Sequence, residues 1–385
     1  MRAFVFTDPA LTSRAGQFVW LELNVDDDRN AALAERLGVE FLPTLLVLKA
    51  DDETVAVRRA GAQTVAEASA FLDAARDELG GGPSSSPADT ALARAERLNG
   101  DGRKTEALAA YREALAAAPP GWPSYGRAAT ATLFLQRTAG GGPECVAVAR
   151  EALARLAGTA AATAVAVSGL DCAVALDKAD SARPATIAEM ESAVRRILAA
   201  DEASAADVLA YHFLISARRD AGDAAGAAKD AAAWAALLEG QAAAARGAEQ
   251  RAAFDASRLA AYVELGQPER AIPMLQQSER DLPGDYSPAA RLAEAYLEMK
   301  KLDDALAASD RALARVSGLG RIPVLEKRAE ILAARGDVAA ARSALEEALA
   351  LVDALPPGLR RDYQGKALRE KLEALSRSAA SPGTA

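Results

Sequence analysis

"LGQPERAIPMLQQSERDLP" occupies residues 265–283. Counted from Gly266, it places Ala271 at +5, Leu275 at +9, Ser278 at +12 and Pro283 at +17. A distant stretch, "DGRKTEALAAYREALAAAP" (101–119), has Gly102, Ala107, Tyr111, Ala114 and Pro119 at the same offsets. Steps of four and three put these side chains on one face of a helix. The glycine marks the turn before that helix, and the proline stops it. "KKLDDALAASDRALARV" (300–316) repeats the core with Ala305, Ser309 and Ala312, and "RGDVAAARSALEEALALV" (335–352) with Gly336, Ala341, Leu345 and Ala348. Ala271, Ala305 and Ala341 are spaced by 34 and 36 residues.

A period of that length belongs to stacked helical hairpins. The small residues mark where two antiparallel helices touch, and Leu259, Tyr262, Leu292, Ala293 and Tyr296 fit the preceding helices. In this the chain resembles tetratricopeptide repeats. Weaker units lie at "GGGPECVAVAREALARL" (140–156) and "AGDAAGAAKDAAAW" (221–234), and residues 160–200 read as a degenerate pair. The expectation is an all-α array of roughly six or seven pairs over residues 89–356. A C-terminal helix and a disordered tail, "SAASPGTA", are expected over 357–385.

Before the linker "GGGPSSSPA" (80–88) the pattern is α/β. "FVWLELNVD" (18–26) predicts a strand, and "RNAALAERLG" (29–38) a short helix closed by Gly38. "TLLVLKAD" (44–51) and "ETVAVRRAG" (53–61) predict two strands around an acidic turn, and "TVAEASAFLDAARDEL" (64–79) an amphipathic helix with a threonine N-cap. This order, with the Leu42-Pro43-Thr44 step, resembles the back part of a thioredoxin-like domain of the thiol:disulfide interchange reductase type. The resemblance covers residues 1–79. It implies a cis bond before Pro43, and backbone groups at Leu42, Pro43 and Thr44 that take an extended peptide by strand addition. It also implies a Trp-Cys-x-x-Cys segment and a central strand, which this stretch lacks. From this we expect a native start upstream of Met1; the alternatives are that the two flanking strands pair directly or that another chain donates a strand. The domain is thus expected to be incomplete and, as it stands, redox-inactive.

The bulk composition narrows the function classes. Net charge is −9, with −6 in residues 1–80 and −3 beyond. No basic patch points to nucleic acid. Cys145 and Cys172 are expected to be buried structural thiols, with Cys145 at a small-residue contact position. Neither they nor the single histidine, His212, suggest a metal or cofactor. No apolar run reaches the roughly 18 residues of a membrane span. Met1-Arg2-Ala3-Phe4 does not open an export signal, so a cytoplasmic location is expected, or a periplasmic one if a signal lies upstream.

If the first helix of each pair lines a groove, that groove should hold His212, Ala260, Glu264, Ala290, Glu294, Glu298, Glu326 and Glu330. Its later part would be acidic and suit a basic or neutral protein segment. Leu92, Glu96 and Asn99 of the first unit are not the set that clamps a peptide carboxylate. Trp122, in a turn, is expected to pack against a helix. The function expected is a protein-interaction scaffold and not an enzyme. The alternative is a thiol:disulfide oxidoreductase whose Cys-x-x-Cys lies upstream.

Overall fold

A computed structural model describes residues 4–25, 27–39, 42–61, 63–80, 86–159, 161–200, 205–355 and 362–380. They fall into two compact units. One holds residues 44–60 and 70–237; the other holds 1–43, 61–69 and 238–385.

The N-terminal stretch has helices α1 (Pro9–Thr12) and α2 (Ala31–Arg36). Gly38 closes α2 at φ +59: its N–H bonds to Glu35 O, and that of Val39 to Ala34 O. Strands β1 (Thr44–Leu48) and β2 (Val55–Ala60) pair antiparallel, with Thr44 opposite Ala60 and Val47 opposite Val57. The connecting turn is held by Asp52, whose carboxylate accepts from the N–H and hydroxyl of Thr54. Thr64 and Glu67 exchange hydrogen bonds in a capping box that starts α3 (Val65–Gly80). The strand expected over 18–26 does not form. Residues 18–24 belong to no sheet, and Val19 and Leu21 stay 90% and 79% exposed. β-forming side chains make a strand only beside a partner backbone. The described sheet has two strands, so no complete thioredoxin-like domain is present among these residues. Most of the expected linker, residues 81–85, lies outside the described residues.

From Pro87 onward the chain is helical. The helices are α4 (Pro87–Gly100), α5 (Lys104–Ala117), α6 (Tyr125–Thr138), α7 (Pro143–Arg155), α8 (Ala161–Val174), α9 (Arg183–Ala200), α10 (Ala205–Asp220) and α11 (Ala224–Ala244). They continue with α12 (Ala248–Ala252), α13 (Asp255–Glu264), α14 (Ala271–Asp281), α15 (Ser287–Glu298), α16 (Leu302–Leu313), α17 (Arg321–Ala334), α18 (Val338–Ala354) and α19 (Asp362–Ala380). Helix α19 therefore takes in the first three residues of the expected tail, and 381–385 lie outside the described residues.

The offsets read from the sequence recur as geometry. Gly102, Gly140, Gly222, Gly266 and Gly336 all have φ between +67 and +115, the left-handed region that glycine enters without a Cβ penalty. At each, its own N–H reaches back three residues to a carbonyl and the next N–H reaches back five, as in Gly266 N to Val263 O and Gln267 N to Tyr262 O. This double bond set is a Schellman cap, which satisfies carbonyls the helix end leaves open. Position +5 is then buried every time: Ala107, Cys145, Ala227, Ala271 and Ala341. So are +9 and +12, with Tyr111 and Ala114, Ala149 and Ala152, and Ala231 and Trp234. Alanine there lets two helix backbones approach closely.

Two units solve the turn differently. At Lys300 a lysine occupies the left-handed position (φ +58) with the same pair of hydrogen bonds, and Ala305 follows at +5. Between α8 and α9 the side chain of Arg183 does the capping. It donates to Leu176 O (3.1 Å) and Val174 O (2.8 Å) and pairs with Asp220.

The expectation of two structural thiols is corrected. Cys145 on α7 and Cys172 on α8 form a disulfide, and the chain has no other cysteine. Spacing along the chain hid this, because the two sites meet only once α7 and α8 stack. Trp122 is buried as expected, and its indole N–H donates to Asp89 at 2.8 Å.

Candidate functional site

Helices α15 and α17 share one unit and carry four of the expected groove residues: Glu294 and Glu298, and Glu326 and Glu330. They gather around two lysines that the groove reading left out. Lys327 bonds Glu330 at 2.7 Å, and its charge also feels Glu294 and Glu298. Burial works to lower the Lys327 ammonium, but these carboxylates outweigh it and hold it raised. Lys371, reaching from α19, lies 3.2 Å from Glu330 and 3.8 Å from Glu326. Burial would raise the Glu330 carboxyl, yet Lys327 and Lys371 hold it below its ordinary value. A sequence signal for Lys327 existed, since Lys327 and Glu330 are three apart on one helix. None existed for Lys371, which arrives from a separate element.

Glu298 also lines an open hollow of about 410 Å3 with Val263, Gly266, Pro268, Glu269 and Met299. Glu264 ends α13 beside Val263, half-buried. The hollow therefore combines apolar wall and carboxylates. Ala260 and Ala290 are half-buried on α13 and α15.

Other expected site residues lie elsewhere. His212 is on α10, in the other unit, where its exposed ring stands 6.4 Å from Trp234. Glu96 is on α4, also in that unit. It pairs with Arg127 at 2.9 Å, and burial raises its carboxyl against the charges of Arg127 and Arg59. Asn99 accepts from Lys104. The Leu42–Pro43 bond is cis, Pro43 O accepts from Gly61 N at 2.8 Å, and Leu42 is 63% exposed. Thr44 begins β1. No cluster of metal-ligating side chains occurs among the described residues.

A family model for the tetratricopeptide repeat matches residues 262–317, from the end of α13 through α16. The chain carries a tetratricopeptide repeat region. That segment contains Glu264, Glu269, Glu294 and Glu298, so the hollow belongs to the repeats themselves. Among solved structures, the chain is similar to a tetratricopeptide repeat protein from Parabacteroides merdae. Identity is 13% and the TM-score 0.47, over 75% of this chain and 99% of that one. It is also similar to the assembly chaperone of RpL4, at 15% identity and a TM-score of 0.34 over 76% and 99%. A third likeness is to Naa15/Naa10 bound to HypK-THB, at 14% identity and a TM-score of 0.20 over 80% and 63%. No curated protein matches the chain.

Proposed function

We propose that this chain is a protein-binding scaffold whose tetratricopeptide helices take an extended, lysine- or arginine-bearing segment on the face of α13, α15 and α17. The observation that carries the reading is the hollow at Glu298. Val263 and Met299 offer apolar wall there, and Glu269 and Glu298 offer charge. The four glutamates of α15 and α17 are matched in number by Arg291, Arg321, Lys327 and Arg328 on the same helices, but Arg321 and Arg328 pair with Glu347 and Asp310, so the local carboxylate charge is offset only in part. The N-terminal strand pair acts in this reading as a redox-inactive thioredoxin-like remnant, with Leu42, Pro43 and Thr44 as a second peptide contact. Its stretch through residue 80 contains no cysteine, so it has no thiolate to exchange.

The test uses the full chain and two labelled peptides that differ only in lysine against glutamate. Fluorescence anisotropy should show binding of the lysine peptide alone. Affinity should fall on going from about 50 to about 500 mM salt, because exposed charges are screened over a few ångströms at that strength. Reversal of Glu294, Glu298 and Glu326 to lysine should abolish it. Equal binding of both peptides, or binding indifferent to the triple reversal, would refute the assignment.

A further inference from the structure

We propose that the Cys145–Cys172 bridge is a structural staple installed in an oxidising compartment, and that the protein works there. The two cysteines sit on consecutive helices, α7 and α8, with Cα atoms 5.8 Å apart. That separation is within the native disulfide range of about 4.4–6.8 Å. Both residues are fully buried. They are the only cysteines in the chain, so the pairing has no competitor.

Packing alone does not call for sulfur at Cys145. Cys145 occupies the +5 position that alanine fills at 107, 227, 271, 305 and 341, all of them buried. Alanine there would complete the same helix contact. A cysteine opposite a second cysteine adds something alanine cannot, which is a covalent tie across 27 residues. Such a tie removes chain entropy from the unfolded state.

The chemistry balances through exchange with an oxidised protein dithiol carrier. A Cys145 or Cys172 thiolate attacks the carrier's disulfide and forms a mixed disulfide. The other cysteine then displaces the carrier. Two protons and two electrons leave the pair, and the carrier departs as its dithiol. Cytosolic thiol pools keep such pairs reduced, whereas exported and periplasmic proteins retain them. The bridge therefore favours a periplasm-type setting over the cytoplasmic one expected from the sequence. Because both sulfurs are covered, a small reductant gains access only when α7 and α8 open.

The experiment takes the full chain from its native cells, quenched with N-ethylmaleimide in guanidinium, with and without prior reduction. Mass spectrometry should find no labelled cysteine before reduction and two after it. The purified protein should then melt roughly 5–10 °C higher oxidised than reduced. The C145A/C172A variant, which keeps the alanine of the other units, should melt like the reduced protein and be indifferent to reductant. Two labelled cysteines in unreduced native protein would sink the compartment assignment. A melting point unchanged by reduction or by the double alanine variant would sink the staple. Peptide binding by α13, α15 and α17 enters neither measurement.

Discussion

Asp255, the first residue of α13, is fully buried, and neither carboxyl oxygen has a partner at hydrogen-bond geometry. Burial raises its carboxyl above the ordinary value. Ser278 and the charges of Arg291, Arg258 and Arg251 pull the other way without winning. A raised carboxyl favours the fold while protonated. Its contribution is complete below the unfolded value of about 3.9 and is lost as pH rises through the folded one. Asp255→Asn should therefore raise the melting temperature at pH 7 by a few degrees, about 1 kcal/mol, with the gain vanishing near pH 4. A thermal melt across that range that shows no gain at pH 7 would reject the buried-charge account. The sequence offered no hint of this site. Asp255 reads as a favourable acidic residue at a helix N-terminus, and only the packing of α13 shows what covers it.

At the scale of one helical pair, the turn decides. Where glycine stands at the left-handed position the pair was legible, because the glycine and its +5, +9 and +12 residues are local features. Lys300 broke the glycine rule without breaking the geometry, and its unit was still found through Ala305, Ser309 and Ala312. The α8–α9 pair was read only as degenerate, since its capping comes from Arg183, seven to nine residues along from the carbonyls it serves. Asp220 on α10 depends on the same guanidinium, which with Lys178 keeps its carboxyl below the ordinary range despite burial. Arg183→Met preserves bulk but strands two carbonyls and leaves Asp220 to the exposed Lys178. It should cost about 2–3 kcal/mol in urea denaturation. An unchanged midpoint would show that water serves those carbonyls equally well.

At the scale of the molecule, repeats need an end. Helix α19 covers the last pair, with Leu368 fully buried among Ile322, Leu325, Leu345 and Val352. Terminal caps of this kind keep an array soluble by hiding its open apolar face. Truncation after residue 355 should lower the melting temperature and drive association on size-exclusion chromatography. It also removes Lys371, so the lysine peptide should bind the remaining monomer no more weakly. A truncated chain that melts as the full one does would show that α19 caps nothing.

The periodic alanines, turn glycines and helix-stopping prolines determined the paired-helix array by themselves, because each acts within a few residues of where it stands. The row of glutamates on α15 and α17 was equally plain from helical spacing. Tertiary structure alone decided the rest. It left "FVWLEL" without a partner strand, brought Lys371 to Glu330, buried Asp255 and joined Cys145 to Cys172. In each of these the outcome depends on a group far along the chain, and no local pattern encodes which distant backbone or side chain will arrive.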